Sequence, residues 1–197
     1  HAWGPNEQRG VFKTTDAGKT WTKVLYKNAT TGCSDIAMDP SDSGTLYAGM
    51  YTHQRKPWRF DSGGGETALY KSIDAGATWK RMSGTNPRPM YYSKPTIDPN
   101  NDKHIWLPGT SIVHSMDAGA TWVEEPTSPT YDLGLKTDHH VLKVDPANSN
   151  HVYVVGDGGL HETFDMGKNW IRHGNIPVAQ AYRVAVDNRD PYWVYTG

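Results

Sequence analysis

The octet SIDAGATW at residues 72–79 decides the fold, because close variants of it occur three more times along the 197-residue chain. All four follow the pattern Ser/Thr, any residue, Asp, any residue, Gly, any residue, Thr/Asn, Trp. The Asp and Ser/Thr side chains can hydrogen-bond to nearby backbone, and Gly adopts backbone angles that other residues avoid, which together favour a tight turn. The other copies are TTDAGKTW (14–21), SMDAGATW (115–122) and TFDMGKNW (163–170).

Each octet is predicted to be a hairpin turn between two short strands, because an apolar residue stands three positions before its Ser/Thr. The turn aspartates and the octet tryptophans are then structural residues. Loss of one aspartate would leave N–H groups of the turn unpaired. These residues are Asp16, Asp74, Asp117, Asp165, Trp21, Trp79, Trp122 and Trp170.

A second motif alternates with the octets and consists of an apolar strand, an Asp at a turn, and a second apolar strand ending at Gly. Repeats of about 40–50 residues with four strands each are typical of a β-propeller, whose blades are four-stranded sheets around a channel. The sequence therefore predicts an all-β propeller of antiparallel four-stranded blades. The turn aspartates of the second motif are Asp39, Asp98, Asp145 and Asp187.

If the second motif forms strands A and B and the octet joins strands C and D, the chain divides into three blades and two halves. The C–D half lies at residues 10–26 and the A–B half at residues 181–197. These halves could join and close a ring of four, the smallest size for a propeller. We favour the alternative, in which this single domain is part of a longer propeller chain. The three blades span about residues 34–84, 94–126 and 140–174.

Composition excludes several classes of function. The net charge of −1 gives no reason to expect a nucleic-acid partner. No apolar run approaches the length of a membrane span, so membrane insertion is not expected. Cys33 is the sole cysteine, which leaves no disulfide framework. No cofactor and no metal ion are expected.

The octets resemble the Asp-box, or BNR repeat, of sialidases, xyloglucan-active endoglucanases, sortilin-type receptors and secreted bacterial propellers. Longer segments also resemble large secreted bacterial proteins of the sortilin-like and glycosyl-hydrolase-like kind. The resemblance implies a secreted or extracytoplasmic propeller, at the cell surface or in the periplasm. Sialidase activity is disfavoured because the Arg-Ile-Pro segment is missing. The longer segments are GVFKTTDAGKTWTKVLY (10–26), TDHHVLKVDP (137–146), GDGGLHETFDMGKNW (156–170) and AYRVAVDNRDPYWVY (181–195).

The first full blade carries an insertion of about 15 residues near residues 51–66. Its turn aspartate and octet aspartate are 35 residues apart (39 to 74), against 19 (98 to 117) and 20 (145 to 165) in the next two blades. Long loops on a rigid scaffold often carry function. A flat aromatic ring beside charged donors favours sugar binding, and the alternative is a solvated loop whose Trp packs on the next blade. The loop contains His53, Arg55, Lys56, Trp58, Arg59 and Asp61.

A second candidate site lies at the start of a strand A, where Asp138 and His140 would share one face because side chains alternate along a strand. This pair could act as an acid/base couple or bind a cation, but we favour a satisfied polar ring that lines the channel. The segment GDGGL (156–160) is interpreted as a tight turn between strands B and C that brings Asp157 close to the channel.

Two functions are compatible with these residues. A carbohydrate-active propeller would hydrolyse a glycan with two carboxylates, for which we select Asp61 and Asp138, with Asp157 and Asp35 in reserve. A non-catalytic, sortilin-like module would bind a glycan or an extracellular protein or peptide, or act as a structural piece. The substrate-binding residues selected in the first case are Trp58, Arg55, Arg59, Tyr92, His140 and Asp157.

Overall fold

A computed structural model describes residues 3–85, 94–125, 138–176 and 183–196. These residues form seventeen strands and no helix, so they contain no helix that could span a membrane. Every strand pairing is antiparallel. The N-terminal hairpin consists of β1 (Val11–Lys13) and β2 (Thr22–Leu25).

Three complete sheets follow the N-terminal hairpin, and each runs in the strand order of the chain. The first sheet contains β3 (Thr31–Met38), β4 (Leu46–Lys56), β6 (Ala68–Ser72) and β7 (Lys80–Ser83), with β5 (Arg59–Ser62) paired to the end of β4. The second contains β8 (Thr96–Asp98), β9 (Asn101–Pro108), β10 (Ile112–Ser115) and β11 (Val123–Glu124). The third contains β12 (His139–Asp145), β13 (Asn148–Gly156), β14 (Gly159–Thr163) and β15 (Ile171–His173). The C-terminal hairpin consists of β16 (Val184–Val186) and β17 (Val194–Thr196).

Each octet forms the turn between the last two strands of its sheet or hairpin, as the sequence predicts. In the first sheet the Ser72 hydroxyl accepts the Gly76 N–H at 2.8 Å and donates to an Asp74 carboxylate oxygen at 2.8 Å. Asp74 in turn accepts the Thr78 N–H at 2.8 Å and the Thr78 hydroxyl at 2.5 Å. The Trp79 indole N–H donates to the Gly76 carbonyl at 3.1 Å. Asp74 therefore receives three hydrogen bonds and holds the turn closed.

The same bonds between the octet Ser/Thr, Asp and Thr/Asn recur in the other three copies. Hydrogen bonds from the threonine hydroxyl, and then from its N–H, lower the pKa of Asp16, Asp74 and Asp117 from the ordinary 3.8 to about 2. In the fourth octet, Asn169 lowers the pKa of Asp165 in the same way. Since the folded pKa is depressed, this contribution to stability is present above pH 3.8 and is lost as the pH falls through about 2.

Replacing Ser115 with alanine is expected to lower the free energy of unfolding by about 1–3 kcal/mol, because it leaves a buried N–H unpaired. Ser115 is buried, and its hydroxyl accepts the Gly119 N–H at 2.8 Å. The equivalent Thr14 lies in the N-terminal hairpin and is only half-buried, so Thr14→Ala should cost less. Urea unfolding of both variants measures the difference, and equal costs would contradict the role of burial.

The hydrophobic core runs between successive sheets. One cluster joins Leu25 of the N-terminal hairpin to Met50 and Tyr70 of the first sheet. The next joins Tyr47 and Leu69 of the first sheet to Ile97 and Ile105 of the second. The sheets therefore pack face to face in chain order. The third cluster, between the second and third sheets, contains Trp106, Ile112, Leu142, Val144, Val152 and Val154.

The second sheet carries a chain of four polar side chains across its strands. His104 Nδ1 lies 3.1 Å from Asp98 Oδ2, and His104 Nε2 lies 3.2 Å from His114 Nδ1. His114 Nε2 lies 3.0 Å from a Glu125 carboxylate oxygen. We call this chain the second-sheet ladder. Burial lowers the pKa of His104, so its imidazole is held neutral.

The third sheet carries a ladder at the same four repeat positions, with His and Glu exchanged at the last two. His151 lies 3.0 Å from Asp145 Oδ2 and 2.7 Å from Glu162 Oε1, while His173 lies 2.8 Å from Glu162 Oε2. The Glu162 hydrogen bond raises the pKa of His151, and the His151 hydrogen bond lowers that of Glu162. The third-sheet ladder therefore favours the charged form of His151, whereas burial favours the neutral form of His104 in the second-sheet ladder.

Candidate functional site

Connections between the second and third strands of the sheets meet at one end of the molecule, which we call the B–C rim. The Asp138 N–H, at the start of the third sheet, donates to the carbonyl of Thr110 in the β9–β10 turn at 3.2 Å. The octets and the turns between first and second strands lie at the other end, where the Ala75 N–H donates to the Gly44 carbonyl at 2.9 Å and the Tyr47 hydroxyl to the Asp102 carbonyl at 3.1 Å. The B–C rim is therefore free of the octets.

The insertion predicted as a long loop at residues 51–66 is instead a β-hairpin that extends β4. Lys56 pairs with Arg59, so Pro57 and Trp58 form its two-residue tip. The alternative in which Trp58 packs on the next blade is wrong, since 81% of its side chain is exposed. Arg59 Nε lies 2.5 Å from Asp61 Oδ1 on the same hairpin.

A row of aromatic rings lies at the base of this hairpin. Tyr51 and His53 are stacked with ring centroids 4.7 Å apart and an angle of 7°, and Phe60 meets His53 edge-on at 6.1 Å. The Arg55 guanidinium lies over the rings of Phe60 at 5.7 Å and Trp3 at 5.8 Å. Burial, and then the charge of nearby Arg9, lower the pKa of His53. The row therefore runs from the buried Tyr51 through the half-buried, neutral His53 to Phe60, with the Arg55 cation at its edge.

Sequence reasoning missed this row as an arrangement, although it named His53 and Arg55 within the insertion. The signal was available, because Tyr51, His53 and Arg55 are spaced by two residues and so lie on one face of a strand. A buried arginine supports the row from beneath. The Arg9 guanidinium donates to the carbonyls of Thr30 at 2.5 Å and His53 at 2.8 Å.

A second polar group lies at the B–C rim of the third sheet. His140 Nε2 lies 2.9 Å from Asp157 Oδ1, and both side chains are substantially exposed. The Asp157 N–H donates to the Asp138 carbonyl at 3.0 Å. The structure thus brings Asp157, in the β13–β14 turn, against His140 and the Asp138 carbonyl at the start of β12.

The expectation that Asp138 and His140 share a strand face is wrong, because it assumed that both residues lie in a regular strand. The strand β12 begins at His139, and Asp138 precedes it with a left-handed φ of 66°. A bulge between His139 and Val141 also breaks the alternation. His139 is buried, with Nδ1 donating to the Gly109 carbonyl at 3.2 Å, and His140 is directed to the rim.

The remaining predicted site residues are placed as follows. Asp35 lies on the innermost strand of the first sheet, in β3, opposite Gly49. Tyr92 lies outside the described residues. No group of three or more His, Cys, Asp or Glu side chains that could hold a metal ion occurs in the part of the chain that the structure describes.

Sequence comparison finds that this chain is similar to parts of several xyloglucanases. No family model matches the chain. The xyloglucanase Xgh74A of Acetivibrio thermocellus is 29% identical over 196 residues, which cover 82% of this chain and 22% of that protein. A xyloglucanase of Hypocrea jecorina is 27% identical over 181 residues, covering 83% of this chain and 20% of that protein. The chain therefore spans about a fifth of the length of the curated relatives it matches.

Among solved structures, the GH74 xyloglucanase of Xanthomonas campestris superposes with a TM-score of 0.63 at 16% identity. The superposition covers 98% of this chain and 31% of that one. At this identity the likeness establishes the fold alone. The fold is that of a β-propeller region built from four-stranded antiparallel blades, and the prediction of fold class is confirmed.

Proposed function

We propose that this chain is the part of a secreted glycoside hydrolase of the xyloglucanase type that binds the glycan at the B–C rim. The observation that carries the proposal is the likeness to Xgh74A over 82% of the chain. The rim adds support, because it combines exposed flat rings with carboxylates. A polymeric substrate also favours a location outside the cytoplasm.

The β4–β5 hairpin supplies the sugar-binding surface of this proposal. Sugar rings pack their C–H faces on flat aromatic groups, while their hydroxyls need donors and acceptors at the edge. The exposed Trp58 and Phe60 offer the first, while Arg55 and Arg59 supply donors and Asp61 supplies an acceptor. A neutral branched glycan suits this surface because Arg59 is already paired with a carboxylate.

Hydrolysis would require two carboxylates, one that protonates the glycosidic oxygen and one that acts as base or nucleophile. Asp61, Asp138 and Asp157 lie at the rim, and Asp157 is the best placed of them. Its carboxylate is solvent-facing and is oriented by His140 at 2.9 Å. Asp138 would supply the second carboxylate from the start of the same sheet, or Asp61 would supply it from the hairpin of the first sheet.

We also infer that the octets are Asp-box corners with a structural role. Their four equivalent sets of hydrogen bonds support this assignment, as does their place at the end opposite the rim. Substrate therefore has no need to approach them. On this proposal the residues 34–84, 94–126 and 140–174 act as blades that hold the rim rigid.

Asp157→Asn is expected to lower kcat on xyloglucan by at least about a hundredfold in the intact gene product, because general acid or base catalysis contributes about 10²–10⁴. Asp61→Asn and Asp138→Asn identify the second carboxylate by the same criterion. The control is Asp102→Asn, an aspartate at the octet end, which should leave kcat unchanged. Release of reducing sugar measures the rates, and full activity of all three rim variants would contradict the assignment.

A non-catalytic, sortilin-like binding module is the second candidate. It is favoured by the pairing of Asp61 with Arg59 and of Asp157 with His140, since carboxylates held by a partner side chain can serve recognition. Xyloglucan binding that depends on Trp58 in affinity electrophoresis, without release of reducing sugar by the intact product, would favour this candidate over hydrolysis.

A further inference from the structure

The turn that carries Asp157 at the B–C rim is held by the start of β12 and by the residue before it. The Asp157 N–H donates to the Asp138 carbonyl at 3.0 Å, and the Asp157 carboxylate lies 2.9 Å from His140 Nε2. On the other side of the turn, Arg172 Nε of β15 donates to the Gly158 carbonyl at 3.2 Å. The place of the Asp157 carboxylate therefore depends on where the start of β12 stands.

The start of β12 is in turn fixed by the second sheet. The His139 N–H donates to the Gly109 carbonyl at 2.8 Å, and His139 Nδ1 donates to the same oxygen at 3.2 Å. The Asp138 N–H donates to the carbonyl of the next residue, Thr110, at 3.2 Å. Three hydrogen bonds thus join this segment to the β9–β10 turn. We propose that His139 is a positioning residue, which holds the Asp157 carboxylate in place from the second sheet.

The His139 side chain makes a hydrogen bond that an apolar residue could not make. Only 1% of it is exposed, and a bulge between His139 and Val141 separates it from the neighbouring His140, which reaches the rim. His139 Nε2 is buried and has no hydrogen-bond partner among the residues that the structure describes. Burial of such a nitrogen costs free energy, so packing alone would favour an apolar side chain. We attribute the histidine to the bond from Nδ1 to Gly109.

Gly156 shows how closely the end of β13 approaches the start of β12. A Cβ atom at this position would lie 2.2 Å from the Asp138 carbonyl oxygen and 2.9 Å from His139 Cα. Both distances are well below van der Waals contact and both atoms belong to the backbone, so a side chain here would force the strands apart. A Cβ atom at Gly174, just beyond β15, would meet no atom within 4 Å. The approach that brings Asp157 beside the start of β12 is thus built into the backbone.

Positioning from beneath matters because the Asp157 side chain is 63% exposed, so packing does not fix its carboxylate. A catalytic group that is displaced by about 1 Å can lose about a hundredfold in rate. The inference rests on the proposed function, in which Asp157 is one of the two carboxylates that act on the glycosidic bond. It adds that a buried residue, which cannot touch the glycan, controls kcat through the place of that carboxylate.

His139→Leu in the intact gene product is expected to lower kcat on xyloglucan about ten- to a hundredfold, with KM changed by less than about twofold. Leucine fills the buried position but cannot donate to Gly109. His139→Asn should keep kcat within about threefold of wild type, because its amide can donate to the same carbonyl. Gly156→Ala should reproduce the loss of kcat while the His139 bond remains, and Gly174→Ala is the matched control that should not.

Hydrogen exchange followed by mass spectrometry gives a readout that does not depend on hydrolysis. In His139→Leu, the peptide that contains the Asp157 amide should exchange at least about tenfold faster than in wild type. The peptide of the first-sheet octet, residues 72–79 at the opposite end of the molecule, should exchange at the wild-type rate. Equal acceleration in both peptides indicates general destabilisation and would overturn the positioning role.

Failure of this inference is distinct from failure of the proposed function. If Asp157→Asn lowers kcat while His139→Leu keeps both the wild-type kcat and the wild-type exchange, the positioning role is wrong and the catalytic role of Asp157 stands. If Asp157→Asn keeps full kcat, its catalytic role is wrong, and exchange of the Asp157 peptide then decides whether His139 holds the turn. Should His139→Leu not fold, Gly156→Ala decides, and an unchanged kcat in that variant would overturn the inference.

Discussion

Truncating Trp106 to alanine is expected to lower the free energy of unfolding by about 3–5 kcal/mol, the range for a fully buried tryptophan. Trp106 is 0% exposed and is the largest side chain of the cluster between the second and third sheets. Its ring stacks on His114 with centroids 4.7 Å apart and tilts against His104 at 4.9 Å. Its loss therefore opens a cavity beside the buried His104 and half-buried His114 imidazoles and loosens the second-sheet ladder as well.

Trp58→Ala is the matched control, because it removes the same side chain from an 81% exposed position. We expect a change within about 0.5 kcal/mol for this variant, together with weaker binding of xyloglucan. Urea unfolding followed by far-ultraviolet circular dichroism measures both stabilities. Equal losses for the two variants would contradict the packing of the second sheet on the third.

The repeated motifs were sufficient to predict the fold. Four octets and four turn aspartates fix which strands pair, since a hairpin turn forces its neighbours to be antiparallel. The β4–β5 hairpin was not predicted, because its tip, Pro57-Trp58, lacks the Gly or Asn that usually marks a two-residue turn. A hairpin that extends a strand and a long loop add the same number of residues, so the length of the insertion could not distinguish them.

The polar ladders were missed for a different reason. His104 and His151 each follow a turn aspartate by six residues, so the repeat was visible in the sequence. The ladders were nevertheless not predicted, because contacts across strands join residues that are distant along the chain. Asp98 and His104 meet across the β8–β9 turn, whereas His104 and His114 meet only through strand pairing.

The contact between Asp138 and Asp157 at the rim was beyond sequence reasoning. The order of strands shows that Asp61 and Asp157 both lie in connections between second and third strands. It does not show that Asp138 adopts a φ of 66°, or that its carbonyl accepts the Asp157 N–H. Both depend on local backbone conformation, which the order of strands does not determine.

Acid is expected to destabilise the protein through His139, by about 3 kcal/mol between pH 6.5 and 4. The His139 side chain is only 1% exposed and lies between the second and third sheets, where its Nδ1–H donates to the Gly109 carbonyl at 3.2 Å. Burial lowers its pKa from 6.5 to about 4. Because the unfolded chain takes up the proton first, stability is complete above pH 6.5 and is lost as the pH falls through about 4.

His139→Asn tests this dependence, because its amide can still donate to the Gly109 carbonyl but cannot titrate. Chemical unfolding at half-unit steps from pH 4 to pH 8 should show a steep loss for the wild type below pH 6.5 and a flatter curve for this variant. His151→Asn provides a control of opposite sign, since the pKa of His151 is raised by Glu162. Protonated His151 stabilises the folded wild type below pH 6.5, and this contribution is lost as the pH rises through the folded pKa of His151. His151→Asn therefore differs most from wild type at the acid end. Parallel curves for wild type and His139→Asn would show that His139 does not control the acid limit.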